Sequence, residues 1–172
     1  MFEEWEESEM ESVYVDWEVG RVRLTWMPHK KITQDMVVTS VHSVCLWGGH
    51  VLLSYIKGRG YNYPGGHIEV GETLEEAIHR EVYEEGYVKG IIDYLGCLEV
   101  SHRDNERFNP NGKYPMIAYQ AFYRMTVTEC LDYQGMFEAS SRKWVKPVEV
   151  GRWSNDHELS KNQILQAALR SI

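Results

Sequence analysis

The chain has 172 residues, 43% of them hydrophobic and 12% aromatic, which suffices to bury one core of ordinary domain size without disulfide or metal staples. A formal net charge of −8 argues against sequence-independent nucleic-acid binding, which rests on a basic face. Cys45, Cys97 and Cys130 are scattered with no Cys-x-x-Cys pair, and the histidines form no His-Glu-x-x-His pattern, so neither a disulfide framework nor a zinc hydrolase is expected.

Residues 1–12 are acidic and mutually repelling, and are read as a flexible terminus ahead of one domain over 13–172. Within 13–27, Val13, Val15 and Trp17 alternate with polar residues, Gly20 interrupts, and Val22, Leu24 and Trp26 alternate again, the pattern of a β-hairpin. Three roles are open to it: a dimer contact, a cover on a sheet edge, or a wall of a ligand pocket. Apolar runs over 36–47 and 51–56 are joined by Gly48 and Gly49, a two-residue turn of the kind that links antiparallel strands.

The next segment, 66–88, carries the chemistry. Leu74, Ala77, Ile78 and Val82 recur at the spacing of one helical face, and Thr73 with Glu76 makes a capping box at its start. One turn further along the same stripe, the inward positions become Glu81 and Glu85, with Glu84 at the edge. Three acids within a turn repel one another, and they stand at the helix end whose dipole is already negative. Such a cluster is tolerable if it is fully solvated or if a cation neutralises it. Oxygen ligands with no cysteine nearby select a hard ion, Mg2+ or Mn2+. The solvated alternative fits Glu75 and Glu76 in the first turn well, but fits the stripe positions poorly.

Upstream, Tyr63-Pro64-Gly65-Gly66 closes an extended run with a pair of glycines that let backbone pass close by. Taken together, Gly66, Glu72, Arg80, Glu81, Val82, Glu84, Glu85 and Val88 resemble the signature of the Nudix hydrolases, in register at every one of these positions. The signature's last glycine would fall at Tyr87, whereas this chain has Gly86, so the helix exit is expected to differ by one residue, with Gly86 as a left-handed cap on a tighter last turn. The resemblance implies an α/β/α sandwich with a mixed sheet. It also implies metal-dependent hydrolysis of a phosphoanhydride bond in a nucleoside diphosphate linked to another group.

It further implies that Glu81, Glu84 and Glu85, with the Gly66 carbonyl, hold Mg2+ or Mn2+, and that Arg80 orients the site by pairing with Glu72. From the residues alone, a surface pair of Arg80 with Glu76 or Glu84 is as good a reading. Lys57 and Arg59, in the loop before the glycines, stand near where substrate phosphates would lie, and Tyr61, Tyr63, Phe108, Tyr114 and Tyr119 are candidates to stack on a base, with a core role the better reading of Tyr119 inside its strand. The general base is open between Glu85, ranked first as a metal ligand, and Glu106 in the polar loop 101–106, for which a solvated loop acid is the alternative.

Beyond the motif, runs over 91–100 and 116–127 read as strands separated by the turn Asn109-Pro110-Asn111-Gly112, and Leu159, Ile164, Leu165, Ala168 and Leu169 carry a helical stripe. Arg142, Lys143 and Lys146 are read as solubilising charges. No apolar run approaches the ~20 residues of a membrane span, so a soluble, cytoplasmic monomer or homodimer is expected. The substrate expected first is a nucleoside triphosphate, oxidised or not, giving nucleotide and pyrophosphate; the second is a nucleotide sugar. A reading of another class is a nucleotide-binding module that has lost hydrolysis, for which the displaced glycine is the one supporting feature.

Overall fold

The computed structural model describes residues 10–170. The expectation for the acidic start therefore lies outside the described residues as far as residue 9. The first alternation folds as β1 (Glu11–Trp17) and β2 (Gly20–Pro28), paired antiparallel through Val13↔Leu24 and Val15↔Val22, so ordered strand begins two residues before the expected boundary at 13. β3 (Val38–Trp47) and β4 (His50–Ile56) are joined by Gly48 and Gly49 at φ +56° and +77°, the left-handed pair that a two-residue hairpin turn demands. Then come β5 (Gly60–Asn62), β6 (Gly65–His67), helix α1 (Leu74–Gly86), β7 (Val88–Ser101), β8 (Ile117–Cys130) and β9 (Ser141–Val145).

The strands form one sheet in the order β1-β2-β7-β8-β3-β4-β5, with β6 added to β3 and β9 to β4. β3 and β8 run parallel and the other pairs antiparallel, so the sheet is mixed. Period-two alternation sends Ala121, Tyr123, Met125 and Val127 of β8 to one face, where Ala77, Ile78 and Val82 of α1 cover them. Phe122 points to the other face, which is covered by Val150, Leu159, Ile164, Leu165 and Ala168 of the C-terminal helices. Helices on both faces of a mixed sheet give the α/β/α sandwich that the motif implied. The C-terminal helix spans residues 158–170, is π-helical over Ser160–Ile164, and is regular α-helix over Leu165–Arg170. Its irregular turn is held from outside: Ser160 N donates to His157 Nδ1 at 3.2 Å.

β9 was not foreseen, because its two adjacent cations break the apolar alternation. Arg142 Nη1 donates to the Gly86 carbonyl at 2.8 Å, and Lys143 Nζ sits 3.7 Å from the Trp153 ring centroid. Neither is a merely solubilising charge; among the three, Lys146 is the exposed one.

The helix exit also departs from expectation. Gly86 does not become left-handed: it is the last residue of α1, and Tyr87 takes the cap at φ +55°, ψ +40°, its N–H reaching the Tyr83 carbonyl. The helix therefore ends at the signature's own position with a tyrosine in the conformation that glycine normally fills, a strain of roughly 1 kcal/mol or more. Burial offsets it. Tyr87 is only 4% exposed, its ring lies 4.9 Å from that of Tyr133 and 6.1 Å from that of Phe137, and its hydroxyl accepts from Met136 N at 2.9 Å. Gly86 answers a different need, since a Cβ there would stand 2.5 Å from Leu52 Cδ2 in the core beneath the helix. Substituting Gly86→Ala is expected to destabilise the fold by about 1–3 kcal/mol, the range for overpacking a filled core. Urea unfolding checks it, and an unchanged midpoint would contradict the close packing.

Candidate active site

Residues four apart on a helix are separated by only about 40° around its axis, so a stripe that buries Ala77, Ile78 and Val82 carries Glu81 and Glu85 inward with it. They are 8% and 4% exposed. Opposite them β6 lies against β3 through Val41↔Gly66 and His42↔Gly65, which brings the paired glycines under the helix. Gly65 N donates to Glu85 Oε2 at 3.1 Å. A Cβ on Gly66 would lie 2.5 Å from Glu81 Oε1, so only glycine admits that carboxylate. The helix end is fixed twice, since Ser54 Oγ of β4 donates to the Glu85 carbonyl at 2.9 Å and Arg142 of β9 takes the next carbonyl.

Arg80 joins the loop to the helix. Its Nε and Nη2 donate to Glu72 Oε2 and Oε1 at 2.7 and 2.9 Å, a two-pronged pair, and Nη2 also reaches the His67 carbonyl at 2.9 Å. Its Nη1 bonds Glu81 Oε1 at 2.9 Å and Glu84 Oε2 at 3.3 Å. Both readings of Arg80 thus describe real contacts, the fork to Glu72 being the shorter. The side chain of Glu84 is 31% exposed, which sets it apart from the buried Glu81 and Glu85. Among the described residues, no three His, Cys, Asp or Glu side chains converge on one ion-sized space.

Desolvation governs the titration of the site. Burial pushes Glu85 up to about 8, against which the Gly65 N–H works only in part. Glu81 is raised for the same reason, with Arg80 opposing. Glu72 is lowered, foremost by its bond to Arg80. Buried carboxyls beside a glycine cradle fit a hard divalent ion, which would supply the charge that desolvation withholds.

A cavity of about 250 Å³ opens at Glu85 and Gly65. Phe122, Tyr63, Ile56 and Trp17 make its apolar walls, and His42, Gln120, Asp156 and His157 bring polar groups to it. His42 stacks on Phe122 at 5.1 Å and is depressed to about 4, foremost by burial, so its ring is neutral at pH 7. Trp17 comes from the N-terminal hairpin of the same chain, which favours the pocket role among the three proposed for it.

Of the substrate candidates, Arg59 lines this cavity while pairing with Glu138 at 2.9 Å, whereas Lys57 is exposed in the preceding turn and is not part of the lining. Tyr63 is a wall whose buried hydroxyl donates to the Ser160 carbonyl at 3.0 Å, so it is fixed in the core rather than free to stack. Glu106 is exposed and does not line this cavity. Sequence reasoning missed His42, Gln120, Phe122, Asp156 and His157. Gln120 and Phe122 share one face by their spacing of two, but nothing in the sequence says that this face meets the C-terminal helix at a cavity.

Comparison with known proteins follows the same lines. A model of the NUDIX domain matches residues 40–168. Nudix hydrolase 16, mitochondrial, of Arabidopsis thaliana is 36% identical over 120 residues, covering 67% of this chain and 63% of that protein. The putative 8-oxo-dGTP diphosphatase YtkD of Bacillus subtilis strain 168 is 45% identical over 58 residues, 33% of this chain and 37% of that protein. The matches thus span less than two thirds of the length of these curated relatives. A mutant of the Bacillus subtilis pyrophosphohydrolase BsRppH superposes with a TM-score of 0.65 at 22% identity, over 92% of this chain and 94% of that one, a likeness of fold.

Because the folded protein holds a proton on Glu85 up to about pH 8, while an unfolded chain releases it near the ordinary 4.5, folding stability falls as pH rises through that interval. In metal-free buffer, melting temperature is expected to drop between pH 5 and pH 8, and less so in Glu85→Gln. Millimolar Mg2+ at pH 8 should raise it, since an ion that binds only the folded state stabilises it by mass action. A profile that is flat in pH and indifferent to Mg2+ would contradict this account of the buried carboxyls.

Proposed function

This chain belongs to the Nudix family, and from that premise we propose that it hydrolyses a phosphoanhydride bond of a nucleoside triphosphate, with Mg2+ or Mn2+ held by its motif carboxylates. The observation that carries the reading is the pair of buried carboxyls, Glu81 and Glu85, seated on the Gly65–Gly66 turn with a base-sized cavity opening beside them. Buried acids without neutralising charge destabilise a fold, so their place here fits a task that requires them.

In this mechanism Glu81, Glu85 and the Gly66 carbonyl would hold the ion, with Glu84 as a further ligand. When bound, a divalent ion would supply the positive charge that phosphate oxygens need and would activate water, which is most of what phosphoryl transfer asks of a protein. Arg80 keeps Glu72 and the His67 carbonyl in fixed relation to the helix, so that loop and carboxylates move as one body. Arg59, at the cavity rim, meets the phosphate chain. Glu85 is the proton acceptor this site favours over Glu106, because it borders both the glycine turn and the cavity.

The base enters between Trp17 and Phe122, with Gln120, Asp156 and His157 at its polar edge. At about 250 Å³ the cavity is smaller than the roughly 300–1,000 Å³ typical of sites for drug-sized ligands, and suits one planar ring. A triphosphate with a single base therefore fits better than a nucleotide sugar placed wholly within it.

Phosphate and pyrophosphate release from a panel of ordinary and oxidised nucleoside triphosphates, with and without Mg2+, tests the reading. Turnover is expected only with the metal. Glu85→Gln and Glu81→Gln should each lower kcat by about 100-fold or more, the scale for removing one electrostatic stabiliser of a transition state. Release that is independent of both metal and carboxylates would refute the proposal.

A further inference from the structure

Between β8 and β9 the chain crosses residues 131–140 as a strap that is tied to the motif helix and to the sheet. Leu131 N donates to the Tyr87 carbonyl at 2.8 Å and Ser140 N to the Tyr55 carbonyl at 2.9 Å, which fixes the two ends. The middle is carried by the residue that stands in place of the signature glycine. Tyr87 accepts from Met136 N on its hydroxyl at 2.9 Å and packs its ring against those of Tyr133 and Phe137. A glycine at 87 would cap the helix with less strain but would offer the strap neither ring nor hydroxyl, so the tyrosine gives the strap its course.

That course ends at the mouth of the cavity beside Glu85. Glu138, the residue after Phe137, takes Arg59 across the rim, with Arg59 Nη2 donating to its Oε1 at 2.9 Å. Among the described residues, Arg59 is the one arginine or lysine in the lining of that cavity. Both partners also act on the Glu85 carboxyl: after desolvation, the Gly65 N–H and Glu81, Arg59 lowers it and Glu138 raises it. The cation that faces the cleft is therefore already engaged by an anion of the same chain.

A carboxylate and a phosphate oxygen bind the same edge of a guanidinium, so they compete for it. The side chains of Arg59 and Glu138 are 60% and 68% exposed, and a pair so open to water holds weakly. A phosphate chain carries more than one negative charge and has further contacts in the cleft, so it displaces the single carboxylate. We propose that Glu138 is an internal competitor for Arg59, a residue that sets the affinity of the cleft for phosphate by occupying its arginine until a phosphate chain replaces it. This rests on the proposed function, which places the phosphate chain at Arg59, and adds to it the group that opposes binding there. On displacement the carboxylate turns into water while the strap keeps its place, because its anchors are Tyr87 and Tyr55.

The test uses the full chain with Mg2+ and a methylene-bridged adenosine triphosphate, which resists hydrolysis. Affinity is read by calorimetry for the unsubstituted protein, Glu138→Gln, Arg59→Ala and the double variant. Glu138→Gln, at an exposed position, is expected to tighten binding about two- to fivefold at low salt, the scale of one exposed ion pair. The gain should fade at about 0.5 M salt, where such pairs are screened. With Arg59→Ala in place, Glu138→Gln should gain distinctly less, since no guanidinium is left to release. An equal gain in both backgrounds would mark a general charge effect and overturn the inference. So would a Glu138→Gln protein that binds no more tightly while Arg59→Ala binds more weakly, an outcome that leaves the proposed function standing. Undiminished affinity in Arg59→Ala would instead remove the phosphate chain from Arg59, and both readings of that residue would fall together.

Discussion

The seating of two carboxyls on a glycine turn is the constraint around which the molecule is arranged. Glu81 and Glu85 occupy positions of α1 that packing would give to leucine, and they are held there because Gly66 leaves room for one and the Gly65 N–H meets the other. That geometry exists only if β6 lies under the helix. β3 makes this possible by pairing with β4 at its hairpin end, through Leu46↔Val51, and with β6 near its start. A continuous β3–β4 ladder would have closed the edge where the glycines sit.

The exit of α1 shows what the arrangement demands of its surroundings. A signature glycine moved by one residue would, by local propensity, have shifted the cap with it. Instead the core needs a residue without Cβ beside Leu52, so the glycine stays at 86, and Tyr87 takes the left-handed conformation at the helix end. The strain is absorbed by a cluster of rings around Tyr87 and by Arg142 on the Gly86 carbonyl, interactions from segments 46 and more residues away. Had the helix ended one residue earlier or later, the C-terminal turn bearing Glu84 and Glu85 would have been re-aimed.

Electrostatically, Arg80 does the balancing. One guanidinium meets Glu72, Glu81, Glu84 and a loop carbonyl, which offsets the repulsion between the helix acids Glu81 and Glu84 and ties them to the loop. Glu85 lies outside that network and carries the larger consequence of burial, its carboxyl raised to about 8. The hairpin, which precedes the part that matches the family, contributes Trp17 to the wall of the cavity at Glu85.

Much of this was legible along the chain. The stripe of Leu74, Ala77, Ile78 and Val82 continuing into Glu81 and Glu85, the capping box at Thr73, the hairpins at Gly20 and Gly48-Gly49, and the family signature all depend on spacing within one element, and spacing is what a sequence states directly. What the chain alone left undecided were relations between elements far apart in order. That Arg142 would reach the Gly86 carbonyl, that Tyr63 would be pinned by Ser160, that Phe122, Asp156 and Trp17 would wall one cavity, and that Tyr87 rather than Gly86 would turn left-handed were settled by packing. The physical reason is that side-chain direction follows from local periodicity, whereas the identity of the neighbour it meets, and the strain that neighbour can offset, is fixed only once the sheet has brought distant segments together.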